Sequence, residues 1–111
     1  DVLTLVKLPL VKVEEGLRVE VTEAGTAQSN GTYLCSNGRT LEKESGKGAL
    51  IFFGASGWPA GWYLSTYDRY RAHYFIETDD RTVIPLSGWR VYTQDMSIPG
   101  DEPAPEISPL W

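Results

Sequence analysis

The chain has one histidine, His73, so its capacity for acid–base chemistry is limited. Catalysis by a serine or cysteine nucleophile needs a neighbouring base that a third group holds in position. Serine, cysteine and aspartate are all present, but no recognisable nucleophile motif surrounds any of them. Because His73 stands in the strand-like run of residues 72–75, we predict a structural or surface role for it and no catalytic residues.

Adjacent carboxylates are the second chemical feature, and they occur as Glu14 with Glu15, Asp79 with Asp80, and Asp101 with Glu102. Neighbouring side chains of a strand point to opposite faces, so such a pair chelates a metal ion only within a turn. No spacing typical of a calcium loop is present. We predict solvated turn charges and no metal site. A small hydrolase with carboxylates such as Asp68, Asp79 or Asp80 across a sugar cleft is the weakest alternative.

Cys35 is the single cysteine, so the chain forms neither an internal disulfide nor a cysteine-based zinc site. Its place in a strand-like run predicts a buried, inert thiol. The glycine clusters at residues 46–48 and 54–57 lack a following helix that would direct N–H groups at a phosphate. We therefore predict turns at both clusters and no cofactor.

Aromatic side chains are abundant, with four Trp, six Tyr and three Phe, and they are the strongest remaining signal. Trp58, Tyr67 and Tyr70 fall in predicted loops, where exposed rings stack on sugars or anchor a protein partner. Trp62 and Trp89 fall in predicted strands, and we expect both of them in the core.

The formal net charge of −5 disfavours a nucleic-acid partner, because a phosphate backbone requires a basic surface. The same charge opposes binding to an anionic membrane. No apolar run approaches the roughly 18 residues of a membrane-spanning helix. The first residues also lack the positive region and cleavage site of a signal peptide. We expect neither nucleic-acid nor membrane binding.

Short strands must position these groups, since helical periodicity is nearly absent. Leu17, Val19 and Val21 alternate with polar residues, which is the pattern of a strand with one wet face. Further strand-like runs, separated by Gly, Asn and Pro turns, are 32–35, 39–43, 49–53, 62–66, 73–77 and 88–92. About seven or eight short strands at this spacing predict an all-β fold, a small antiparallel sandwich or barrel.

The sequence predicts three parts. Residues 1–16 form an N-terminal arm or edge strand, because Pro9 interrupts an apolar, β-branched run. Residues 17–94 form the β domain. Residues 95–111, rich in proline and acidic residues, form an extended tail. For the first part, an ordinary first strand of the domain is an equally good interpretation.

Several short motifs follow one another along the middle of the chain. They are Glu-Ala-Gly-Thr-Ala at 23–27, Ser-Asn-Gly-Thr-Tyr at 29–33, Asn-Gly-Arg at 37–39, the aromatic strand at 51–53, Gly-Trp-Tyr-Leu at 61–64, Pro85, Trp89 and Pro-Ala-Pro at 103–105. In this order they resemble a small β module of bacteriophage virion proteins, which include head fibres, decoration proteins and tail appendages. The resemblance extends over most of the chain.

The resemblance implies a non-enzymatic virion protein that works by docking onto capsid or tail proteins. The arm and the tail are the implied docking parts, through Leu3, Leu5, Val6, Leu8, Leu110 and Trp111. Association with further copies into a homo-oligomer is compatible with this role. The alternative is a carbohydrate-binding or host-attachment module, in which Trp58, Tyr67 and Tyr70 stack on a host-surface glycan.

Overall fold

A computed structural model describes residues 10–54, 59–66, 71–94 and 97–110. Its strands are β1 (Leu10–Lys12), β2 (Arg18–Thr22), β3 (Gly31–Cys35), β4 (Leu41–Lys43), β5 (Ala49–Phe53), β6 (Gly61–Ser65), β7 (Ala72–Glu77), β8 (Val83–Pro85), β9 (Arg90–Val91) and β10 (Glu106–Pro109). Within the described ranges, the only helical element is a single 3₁₀ turn at Ala27–Ser29. None of the described residues forms a helix with the length and apolarity needed to cross a membrane.

Eight strands form one antiparallel sheet in the order β10-β2-β3-β4-β5-β6-β7-β9, and β1 pairs with β8 as a separate two-stranded ribbon. From β2 to β7 each strand pairs with the next one along the chain. Short turns at residues 36–40 and 44–48 connect β3 to β4 and β4 to β5, as the glycine- and asparagine-rich spacers predict. The predicted antiparallel all-β fold is confirmed.

The main core lies on one face of the large sheet, which we call the inner face, and the β1–β8 ribbon covers it. Val19 and Val21 of β2 are fully buried there, so the predicted alternation of this strand is confirmed. Trp62 and Trp89 are also core residues, as expected. The Trp62 indole N–H donates to the Val83 carbonyl oxygen at 2.8 Å, and Trp89 donates to that of Pro85 at 2.9 Å. Both buried indoles therefore hold β8 against the core through hydrogen bonds to its backbone.

Parts of both predicted flanking segments belong to these sheets. Residues 10–12 of the predicted arm form β1, and residues 106–109 of the predicted tail form β10. β10 pairs with β2, with Ile107 opposite Val21, and the Ile107 N–H donates to the Leu86 carbonyl oxygen at 3.0 Å. β10 thus joins the edge of the large sheet to the segment that follows β8. The predicted boundaries of the three parts stay predictions.

Three hydrogen bonds hold the connection between β2 and β3 against residues 100–103. The Tyr74 hydroxyl donates to the Asp101 carbonyl oxygen at 2.6 Å and accepts from the Thr26 N–H at 3.0 Å. The Asp101 N–H donates to the Thr26 hydroxyl at 2.8 Å. A Cβ at Gly25 would lie 2.2 Å from the Glu102 carbonyl oxygen, so only glycine permits this approach.

Candidate functional site

Most of the residues that the sequence predicts as site residues lie outside the described ranges. This holds for Leu3, Leu5, Val6, Leu8 and Trp111 of the docking set and for Trp58, Tyr67 and Tyr70 of the stacking set. Their roles stay predictions. Leu110 is described, and 38% of its surface is exposed. Its N–H donates to the Arg18 carbonyl oxygen at 2.8 Å, which anchors it beside the start of β2.

His73 is buried on β7, where the strand carries a bulge opposite Leu64 and Ser65. Its Nδ1 lies 2.6 Å from the Ile98 carbonyl oxygen. Since a carbonyl accepts, Nδ1 carries the proton of this bond. The histidine thus ties the segment after β9 to β7, which is compatible with the structural role predicted for it.

The adjacent carboxylates are exposed at Glu14, Glu15, Asp79, Asp80, Asp101 and Glu102, as predicted for solvated charges. In the part of the chain that the structure describes, no three His, Cys, Asp or Glu side chains are grouped so that they could hold a metal ion. Cys35 is fully buried in the core, as predicted. Asp68 lies outside the described ranges.

An open recess of about 260 Å³ lies where the β1–β8 ribbon meets the end of β7. Its apolar lining comes from Leu10, Ile76, Val83 and Pro85. Leu10 is 46% exposed, and the other three side chains are half-buried. The volume is just below the range of about 300–1,000 Å³ that is typical of small-molecule sites. The recess therefore has the size for one or two side chains of a partner.

The strand β1 places Leu10 on the solvent face of the ribbon. Its burial alternates, with Val11 in the core and Leu10 and Lys12 outside. Leu10 lies opposite Pro85, and Lys12 lies opposite Val83. The Val13 N–H donates to the Thr82 carbonyl oxygen at 2.8 Å. By the alternation of antiparallel pairs, the backbone groups of Leu10 and Lys12 point away from β8.

Two carboxylates, Glu77 and Asp80, also line the recess, together with Thr78 and Ser87. Asp80 Oδ1 accepts bonds from the Thr82 N–H at 2.9 Å and from the Thr82 hydroxyl. These bonds lower the pKa of Asp80, so its side chain is ionised at neutral pH. Glu77 lies 3.8 Å from the Arg90 guanidinium, and both side chains are about two-thirds exposed. The recess therefore combines an apolar lining with negative charge.

A separate aromatic cluster lies on the opposite, outer face of the large sheet. The ring of Tyr63 is its centre, with centroid distances of 5.6 Å to Phe53, 4.8 Å to Phe75 and 5.1 Å to Tyr92. The Tyr63 hydroxyl donates to the Pro59 carbonyl oxygen. Only 2% of the Tyr63 surface is exposed, so its ring is not a stacking platform as it stands. The cluster is a second core rather than a ligand site.

The sequence does not predict the recess. Its residues come from β1, β7, β8 and the loops beside them, and their juxtaposition depends on the β1–β8 pairing between residues far apart in the chain. The one local signal is the proline that precedes Leu10, which is typical of an edge strand. No protein-family model matches this chain, and no curated protein or solved structure matches it significantly.

Proposed function

We propose that this chain is a non-enzymatic docking module that binds other proteins through the recess beside β1. The observation that carries the proposal is Leu10, which is 46% exposed at the rim of an apolar recess. A single exposed leucine is common on protein surfaces. Here Ile76, Val83 and Pro85 extend its apolar surface into a concave site. Covering such a site removes apolar area from water and favours association.

The β1–β8 ribbon also offers backbone groups to a partner. Among the described strands, β8 alone pairs with β1. The outward-pointing N–H and C=O groups of Leu10 and Lys12 suit the addition of an extended segment, a common mode of peptide recognition. Side chains of the added strand would alternate, so that every second one faces the side of the sheet on which the recess lies.

The partners we propose are capsid or tail proteins of a bacteriophage, with the virion as the location. The support is the order of short motifs from residue 23 to the proline-rich segment, which resembles a virion module. The all-β fold, in which these motifs form turns and strands, is compatible with such a module.

The experiment measures binding of the full chain to the capsid and tail proteins encoded beside its gene, by biolayer interferometry. We expect at least one of them to bind, and Leu10→Lys to weaken that binding roughly tenfold, as for an interface residue worth about 1.4 kcal/mol. Ser45→Lys is the matched control. It adds the same charge at an exposed turn between β4 and β5 and should leave binding unchanged.

Failure of every capsid and tail protein to bind would overturn the virion proposal. Equal loss of binding in Leu10→Lys and Ser45→Lys would overturn the recess as the docking site. Binding to a glycan array that is lost in Trp58→Ala and kept in Leu10→Lys would favour the carbohydrate-binding alternative instead. Circular dichroism of each variant verifies that it is folded, and a surface change at Leu10 should alter stability by less than about 0.5 kcal/mol.

A further inference from the structure

We infer that the recess accepts an arginine or lysine side chain from an extended segment of the partner. This inference rests on the proposed docking function and names the chemistry of the residue that is recognised. An arginine or lysine has an apolar stem and a charged head, and it lays the stem along apolar surface while the head meets polar groups. The recess presents both kinds of surface side by side.

The apolar surface comes from Ile76, Val83 and Pro85, which are half-buried and lie within the recess. They form a surface for methylene groups but offer no side-chain hydrogen bond. A purely apolar partner residue would fit them equally well. The carboxylates therefore decide which type of residue the recess prefers.

Asp80 supplies a fixed negative charge. Both bonds from Thr82 end on its Oδ1, and they hold the carboxylate in one orientation. No lysine or arginine in the described ranges forms an ion pair with Asp80. A cation from a partner therefore meets a charge with which no described basic side chain pairs. The formal net charge of −5 adds a long-range attraction for a basic segment.

Glu77 supplies a second negative charge. Arg90 of this chain already contacts Glu77 in the way that we propose for the partner's basic residue. The Arg90 guanidinium lies 5.3 Å from the centre of the Phe75 ring and 3.8 Å from the Glu77 carboxylate. This basic side chain already packs against apolar surface with its head near the same carboxylate. The 3.8 Å separation leaves Glu77 able to accept a closer, charge-assisted bond from a partner.

The test is an NMR titration of the full chain with a short peptide in which one arginine stands between two valines. The matched probe is the same peptide with citrulline, which keeps the shape of arginine and removes its charge. We expect the arginine peptide to shift the methyl signals of Ile76 and Val83. The citrulline peptide should bind at least roughly threefold more weakly, as expected when exposed ion pairs are lost.

Charge variants of the chain provide the second arm. Asp80→Asn and Glu77→Gln should each weaken the binding of the arginine peptide roughly two- to fivefold. Asn retains the oxygen that Thr82 bonds, so the turn is preserved. Asp79→Asn is the control, because it removes the same charge one residue away and Asp79 does not line the recess. Its effect on binding should be smaller than that of Asp80→Asn.

Three results would overturn the inference: equal binding of the arginine and citrulline peptides, equal effects of Asp79→Asn and Asp80→Asn, or the absence of methyl shifts with millimolar peptide. Methyl shifts that depend on protein concentration alone would identify a second copy of the chain as the occupant and would also overturn it. If virion proteins bind in a Leu10-dependent way while both charge tests fail, the docking function stands and this inference does not. If the arginine peptide binds as expected but no virion protein does, the recess recognises a basic residue and the proposed docking to virion proteins is wrong.

Discussion

The two halves of the large sheet share one inner core but differ on their outer faces. In the half made of β10, β2, β3 and β4, the outer face is mostly polar and exposed, with Arg18, Glu20, Glu42, Glu106 and Ser108 in contact with water. In the half made of β5, β6, β7 and β9, the outer face contains the cluster around Tyr63, which is buried.

This difference separates two ways of stabilising a strand. β2 is stabilised by burial on one side only, so alternate positions tolerate polar residues. Every residue of β6 is buried, because both of its faces pack against other side chains. Trp62 and Leu64 lie in the inner core, while Tyr63 lies in the outer cluster. We therefore expect the free energy of unfolding to be far more sensitive to outer-face substitutions in the aromatic half than in the polar half.

The largest effect that this comparison predicts is the difference in the free energy of unfolding between Tyr63→Ala and Glu20→Ala. Both residues stand on the outer face of an interior strand. Tyr63→Ala removes three ring contacts and a partly buried hydroxyl bond, and it should lower the free energy of unfolding by about 3–5 kcal/mol. Glu20→Ala should change it by less than about 0.5 kcal/mol, because Glu20 is exposed. Urea denaturation followed by tryptophan fluorescence measures both. Similar losses in the two variants would remove the distinction between the halves.

In the polar half, β2 was predictable from the sequence because one physical rule governs it. The alternation of Leu17, Val19 and Val21 predicts which side chains of β2 are buried, and the structure confirms it. β10 was not predicted, since its composition resembles that of a solvated tail. Pro109 lacks an N–H, but β10 is the edge strand of its sheet, where that donor is not required.

The aromatic half was predictable only in part. The runs 49–53, 62–66 and 73–77 identify its strands, and the burial of Trp62 follows from the size of its apolar ring. Period-two alternation alone would expose either Trp62 or Tyr63, which are neighbours in β6. Both are buried because each face of this half is covered, and coverage depends on contacts between distant parts of the chain. The recess beside β1 could not be predicted for the same reason.

A second prediction uses high pH to compare the outer cluster with the inner core. Burial raises the pKa of Tyr33, which stands on β3 and lies in the core on the inner face of the sheet. Burial also raises the pKa of Tyr63, with smaller contributions from Tyr92 and Glu77. In the unfolded chain each phenol loses its proton near its usual pKa of 10.0. Above that pH the unfolded state binds fewer protons than the folded state, so the free energy of unfolding falls as pH rises.

We expect Tyr33→Phe and Tyr63→Phe each to reduce the steepness of this fall between about pH 9 and 11. The hydroxyl bonds of Tyr33 to the Ser29 carbonyl oxygen and of Tyr63 to that of Pro59 are lost as well. Losing each bond lowers the free energy of unfolding by about 0.5–1.5 kcal/mol, and it does so equally at neutral and high pH. The change in the slope of this free energy against pH therefore reports the ionisation of the phenol alone. A wild-type slope in Tyr63→Phe together with a reduced slope in Tyr33→Phe would mean that the outer cluster admits water and the inner core does not.

The smallest predicted effect concerns the ion pair between Arg18 and Glu44, which lies on the polar half. Arg18 Nε donates to Glu44 Oε2 at 2.9 Å, and Nη2 donates to Oε1 at 3.1 Å. The hydrogen bond from Arg18 lowers the pKa of Glu44 below its usual 4.5. The stabilisation is therefore complete above pH 4.5 and is lost as pH falls through the lowered pKa.

A double-mutant cycle with Arg18→Ala and Glu44→Ala should give a small coupling at neutral pH and low salt. The coupling should vanish at about 0.5 M salt, since both side chains are partly exposed to water and ions screen them. The pair Arg90 and Glu77 in the aromatic half should couple less, because 3.8 Å separates the charged atoms and the contact is not bidentate. A coupling between Arg18 and Glu44 that persists at high salt would contradict the wet outer face assigned to the polar half. The contrast between the two halves would then arise from the shape of the side chains and not from access of water, because both outer faces would exclude it.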